Sequence, residues 1–149
     1  AVALPQYQVA VMKSRLATTM SGVKVIAEAA EVYYMANGVY PPDNITLLDI
    51  SNLSGCSSLG DGKLSCNNGN VIYDLNSGTD QWAQNEYVQG RVLENGEVVV
   101  RYNQYLNYSP NHAGERFCQA TVGSELAHKV CKSLGGTPLP EDSTSYRLP

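Results

Sequence analysis

Residues 1–37 constrain the fold more than any other stretch, because they read as one uninterrupted helix. Apolar side chains recur at Val9, Met12, Leu16, Met20, Val23, Ala27, Ala30 and Tyr34. Steps of three or four residues keep such a stripe on one side of a 3.6-residue helix. Ser14, Arg15, Thr18, Ser21, Lys24, Glu28 and Glu31 fall opposite, which predicts a solvated face. Asn37-Gly38 followed by Pro41-Pro42 is a stop, since glycine accepts the left-handed cap and proline cannot continue the ladder. At 1.5 Å per residue this element reaches roughly 55 Å. A compact domain of this length has a radius of gyration of only about 15 Å. Part of the helix is therefore expected to project, or to pack against something outside the chain.

Its beginning is unusual. Ala1-Val2-Ala3-Leu4 offers no Ser, Thr, Asp or Asn to cap free N–H groups, and it leads into Pro5, which suits a first turn. Lys13 and Arg15 lie toward the N-terminal end and Glu28 and Glu31 toward the C-terminal end, the reverse of what the helix dipole favours. The expectation is that Ala1 is a cut end and that the helix continues upstream as an apolar segment.

Two stretches carry a resemblance: Ala1-Val2-Ala3-Leu4-Pro5-Gln6-Tyr7, and the helix end at Tyr33-Tyr34-Met35-Ala36-Asn37-Gly38-Val39-Tyr40-Pro41. With the long helix between them, they resemble bacterial type IV pilins and the related pseudopilins of type II secretion. The likeness is specific over the first forty or so residues and only architectural beyond them. In that family a hydrophobic segment precedes these residues, follows a peptidase cleavage site, anchors the subunit in the inner membrane and becomes the filament core. The resemblance therefore implies export through the inner membrane and periplasm to an extracellular filament at the cell surface. The implied partners are further copies of the chain, other pilins and the inner-membrane assembly machinery, with membrane contact only through the upstream segment. The assembly residues assigned to the spine are Leu4, Pro5, Tyr7, Val11, Lys13, Arg15, Glu28 and Glu31. The basic and acidic pairs are about 22 Å apart along a helix, too far to meet within one spine, but able to meet between parallel spines staggered by that distance.

Composition bounds the rest. With 16% charged and 43% apolar residues the chain is globular, and its length suits one domain with a substantial core. A formal net charge of −4 with scattered Lys and Arg argues against a general nucleic-acid-binding surface. Cys56, Cys66, Cys118 and Cys131 are spaced C-x9-C and C-x12-C, unlike the C-x2-4-C knuckles of zinc sites or the C-x-x-C of redox enzymes. Disulfides are the better reading, and they point to the periplasm or the cell exterior. Three connectivities are open. Cys56 with Cys66 and Cys118 with Cys131 is preferred, because each pair closes a modest loop of similar size.

Residues 1–149 are read as one α+β domain, a long amphipathic spine helix packed on an antiparallel sheet of three to four strands. Residues 38–70 form a connecting region, mostly loop, with Leu47, Leu48 and Ile50 tucked under the spine. Residues 71–108 form the sheet. Its clearest signal is Glu94-Asn95-Gly96-Glu97, since Asn-Gly favours a two-residue hairpin turn. That register sets Leu93 opposite Val98 and Val92 opposite Val99, with Leu93, Val98, Val100 and Tyr102 facing the helix. Residues 109–149 hold a short helix capped by Ser124 and stopped at Gly135-Gly136, then a proline-rich tail expected to be extended and partly mobile.

Catalytic chemistry is thin. His112 in a loop and His128 in the short helix are ordinary positions. No phosphate loop or nucleophile elbow is present, and Asp74-Leu75-Asn76-Ser77-Gly78-Thr79-Asp80 lacks the glycine centre and terminal glutamate of a calcium loop. Neither a cofactor nor an enzymatic activity is expected. Ten tyrosines against one Phe and one Trp, Trp82, suit half-buried surfaces such as subunit contacts. Asn44, Asn52 and Asn107 begin sequon-like triplets, which are frequent by chance. The function expected is that of a filament subunit for adhesion, motility or DNA uptake. The alternatives are a type II secretion pseudopilin and a secreted binding module on a helical stalk.

Overall fold

A computed structural model describes residues 5–50, 53–77 and 85–149. Helix α1, Gln6–Asn37, begins after Pro5 with no side-chain cap and ends at Gly38, whose φ of 75° carries the left-handed cap and whose N–H donates to Tyr34 O at 2.7 Å. Met12, Leu16, Val23, Ile26, Ala27 and Ala30 are buried, so the apolar stripe is the face that meets the sheet.

The sheet is larger than the sequence suggested. Strands β1 (Cys56–Ser58), β2 (Leu64–Cys66), β3 (Val71–Ser77), β4 (Glu86–Glu94), β5 (Glu97–Tyr105), β6 (Arg116–Ala120), β7 (Thr137–Leu139) and β8 (Asp142–Arg147) form one sheet. Their order is β1-β2-β3-β4-β5-β6-β8-β7, with every neighbouring pair antiparallel. Eight strands replace the expected three to four: residues 71–108 hold three, β6 follows beyond them, and the connecting region and the tail each add a short hairpin whose residues are too polar to alternate visibly.

The connecting region contributes β1 and β2, with Cys56 directly opposite Cys66. It also holds tight turns at Ile45–Leu47, which buries Ile45 and Leu48, and at Asn67–Gly69. Leu47 was expected beneath the spine and instead stands 50% exposed, because one turn can present only alternate sides inward. The tail, expected to be extended and partly mobile, is extended and hydrogen-bonded into the sheet. Strand β8 pairs with β6 on one side and β7 on the other, burying Tyr146 and Leu148. Pro138 sits on the outermost strand, where its missing N–H costs no ladder bond.

Helix α1 lies across β4 and β5, and α2, Glu125–Ser133, lies beside it against β6. The approach is close. A Cβ at Gly22 would fall 2.0 Å from Tyr73 Oη, and one at Gly90 would fall 2.5 Å from Thr19 Cγ2 and 2.9 Å from Val23 Cγ2. Glycines on the helix and on the sheet thus set the spacing of the two layers. Ser77, 2% exposed, ties the connecting region to β3: its Oγ accepts from Asp43 N at 2.8 Å and its N–H donates to Asp43 Oδ1 at 2.7 Å.

The hairpin between β4 and β5 turns at Asn95-Gly96, both at positive φ, with Glu94 opposite Glu97 and Leu93 opposite Val98 as expected. The register then shifts. Val92 pairs with Val100 rather than Val99, so Val99 is the extra residue of a bulge. Leu93, Val100 and Tyr102 are buried, whereas Val98, expected on the helix side, is only half-buried beside the bulge.

Candidate assembly surface

The face of α1 turned away from the sheet is less polar than expected. Tyr7 is 69%, Val11 56%, Val32 66% and Met35 82% exposed. At 100° per residue Tyr7, Val11 and Val32 fall within about 60° of one another, on the same side as Ser14, Thr18 and Ser21. The free face therefore carries apolar side chains at both ends and small polar ones between. Pro5 is also exposed, and Leu4 lies outside the described residues.

The four charges of the spine are not equivalent. Lys13 Nζ donates to Ser133 O at 3.1 Å and Arg15 Nη2 to Leu93 O at 2.6 Å. Both basic residues thus serve as cations at carbonyls of their own domain. Glu31 takes the Tyr40 hydroxyl on Oε1 and the Asn107 N–H on Oε2, the latter at 2.9 Å. Glu28 is exposed and makes no ion pair among the described residues. Of the charged positions assigned to assembly, only Glu28 is fully available to a neighbour.

Around Glu31 the tyrosines cluster. Tyr34 stacks on Tyr108 at 4.2 Å and leans on Tyr40 at 4.7 Å, and Tyr40 Oη accepts from Tyr108 N at 3.1 Å. Burial first, and then the Glu31 carboxylate, hold the Tyr40 phenol well above its ordinary range. Burial and then Glu31 also push the Glu86 carboxyl up. This cluster fastens the helix end to the loop after β5.

Both disulfides follow the preferred pairing, Cys56 with Cys66 and Cys118 with Cys131, and no cysteine is free. The first closes the β1–β2 hairpin; the second, wholly buried, bolts α2 to β6. His112 Nδ1 lies 2.9 Å from Glu115, and His128 Nδ1 lies 2.6 Å from the Tyr146 hydroxyl. Each histidine has a structural partner. No group of metal-ligating side chains converges among the described residues. Asp74 pairs with Arg91 at 3.3 Å. The remainder of its segment, residues 78–80, lies outside the described residues, as do Trp82 and Asn52. A groove of about 470 Å³ separates α1 from the β1–β2 hairpin, lined by Arg15, Thr18, Gly22, Val25, Leu53 and Cys56. With its one cation already on Leu93 O, the groove offers shape rather than chemistry.

Sequence reasoning missed the outer face of the sheet. Strands β4 and β5 present Arg91 opposite Arg101, Gln89 opposite Asn103 and Tyr87 opposite Tyr105. The signal was there, since every second residue on each strand is charged, amide or aromatic, but the bulge hid which residues face one another. Comparison with protein-family models, with curated proteins and with solved structures finds no match to this chain. Among the described residues no helix is long and apolar enough to cross a membrane.

Proposed function

We propose that the chain is the globular part of a type IV pilin-like filament subunit that polymerises through α1. The observation that carries this reading is the spine itself. It has 32 residues, or about 48 Å of helix, with one face buried on the sheet and Tyr7, Val11, Val32 and Met35 left exposed on its free side. Apolar side chains at both ends of a free helical face suit helix-to-helix packing between copies, where each would lose its water contact. A disulfide-stapled α+β body on a long N-terminal helix, and the resemblance of the first forty residues to pilins, support the same reading. In this view the filament is extracellular and the subunit a structural protein rather than an enzyme.

The test is genetic and physical. The gene upstream of Ala1 should encode a peptidase cleavage motif followed by an apolar segment. The full-length product should sediment as filaments while residues 1–149 stay monomeric or weakly associated. An ordinary signal peptide upstream of Ala1 removes the reading, and robust filaments from residues 1–149 alone remove the role given to the upstream segment.

A further inference from the structure

The outer sheet face is separate from the spine, and its charges do not balance. Arg91 and Arg101 are direct cross-strand partners on β4 and β5, an arrangement that destabilises a sheet unless something anionic lies between them. One carboxylate, Asp74, serves the two guanidiniums, and it reaches only Arg91, at 3.3 Å. Arg91 Nε is further held by Gln89 Oε1 at 2.8 Å. Arg101 makes no ion pair among the described residues. Burial, and then the Arg91 charge, press its guanidinium below the ordinary value. A half-buried cation short of one negative charge stands at the centre of the sheet.

The next two rungs continue in the same direction. Gln89 Nε2 donates to Asn103 Oδ1 at 2.8 Å, an orientation that leaves the Asn103 amide N–H groups for a further acceptor. Beyond it Tyr87 and Tyr105 lie 5.1 Å apart, inclined by 39°, with His112 and Phe117 packed edge-on against Tyr105. Cation, amide and aromatic pairs thus follow one another at two-residue steps, about 7 Å each.

We propose that the outer face of β4 and β5 binds a carboxylated saccharide, with its carboxylate between Arg91 and Arg101 and a sugar ring against Tyr87 and Tyr105. Guanidiniums grip carboxylates through paired N–H donors. The Asn103 amide N–H groups match ring hydroxyls, Gln89 being buried with both amide atoms already bonded, and the tyrosine faces match the C–H side of a pyranose. Charge favours this ligand over a nucleic acid. A phosphate backbone draws its affinity from many cations, and here Asp74 flanks Arg91, Glu115 pairs with Arg147 at 3.4 Å, and the whole chain carries −4.

Calorimetric titration of residues 1–149 with tetragalacturonate, with its methyl ester and with oligothymidylate tests the assignment. The acid should bind at least tenfold more tightly than the ester. Arg101→Gln should lose tenfold or more of that affinity while its thermal midpoint stays or rises, because a like-charge pair has been removed. Arg101→Lys should keep part of the affinity. Ring signals of Tyr87 and Tyr105 should move when the parent chain is titrated with the acid, which decides the matter independently of how the variants fold. Equal binding of acid and ester, no binding of the acid, undiminished binding by Arg101→Gln, or tighter binding of oligothymidylate would each overturn the proposal, the last in favour of single-stranded nucleic acid.

Discussion

Gly22 and Gly90 decide how closely helix and sheet can approach, and they reverse the usual sign of a substitution. Alanine in place of glycine inside a helix normally gains about 1 kcal/mol. At Gly22 the new methyl would sit 2.0 Å from a buried tyrosine oxygen, so Gly22→Ala should destabilise by about 1–3 kcal/mol in urea unfolding. Gly90→Ala should cost a similar amount, and Thr19→Ser in the same chain should partly restore it by deleting the methyl that the alanine meets. Failure of that rescue would show that Val23 or the backbone, not Thr19, sets the contact. Residue identity revealed none of this. A glycine in a helical stripe reads as a weak position, and its packing reason exists only once Tyr73 and Gly90 arrive from the sheet.

Elements were legible where their periodicity or punctuation was strong. The stripe from Val9 to Tyr34 and the Gly38 stop located α1, Ser124 located α2 through the bond its Oγ accepts from Ala127 N, and Asn95-Gly96 located the β4–β5 turn. A one-residue bulge then redirected the pairing beyond it. Without it Arg91 would face Val100, and with it Arg91 faces Arg101. Short polar strands such as β8 carried no hydrophobic alternation to read. That hairpin is held instead at its turn, where Asp142 accepts from Thr144 N at 2.9 Å, Thr144 Oγ1 at 2.6 Å and Ser145 Oγ at 2.7 Å. These bonds, the Thr144 hydroxyl first, hold the Asp142 carboxyl below its ordinary value. A depressed carboxylate contributes stability above its unfolded value, about pH 4, and loses it as pH falls further. The protection factor of the Tyr146 amide, referred to the intrinsic exchange rate at each pH, should therefore fall on acidification, and in Asp142→Ala it should be low already at neutral pH. On α1, Glu28→Lys should leave the isolated domain within about 0.5 kcal/mol of the parent, as surface changes do. Glu31→Ala should cost about 1–2 kcal/mol by orphaning Tyr40 and Asn107 N. If charge sets the stagger between spines, Glu28→Lys should also impair filament formation at low salt.

Over the whole molecule the tyrosines make the fold sensitive to alkali. Tyr40, Tyr73, Tyr87, Tyr102 and Tyr105 all have their phenols raised, with burial the leading cause in each. A phenol raised in the fold contributes stability that is complete below its unfolded value, about pH 10, and declines as pH climbs above it. Thermal midpoints should hold to about pH 9 and then fall, with the tyrosinate absorbance of these five residues appearing only as the chain unfolds. Reduction should also be ordered: Cys56 is partly exposed while Cys118 and Cys131 are fully buried. Mass spectrometry under mild reductant should find the β1–β2 hairpin opened first. Cleaving the inner bridge as well should remove roughly 3 kcal/mol more. The position of β8 has a consequence in time. Asp142–Arg147, the strand seated between β6 and β7, leaves the ribosome after Cys118 and Cys131 have emerged. Oxidation can therefore lock α2 onto β6 while the far side of β6 is still bare, and during that interval a strand from another nascent chain competes with Asp142–Arg147 for the same seat.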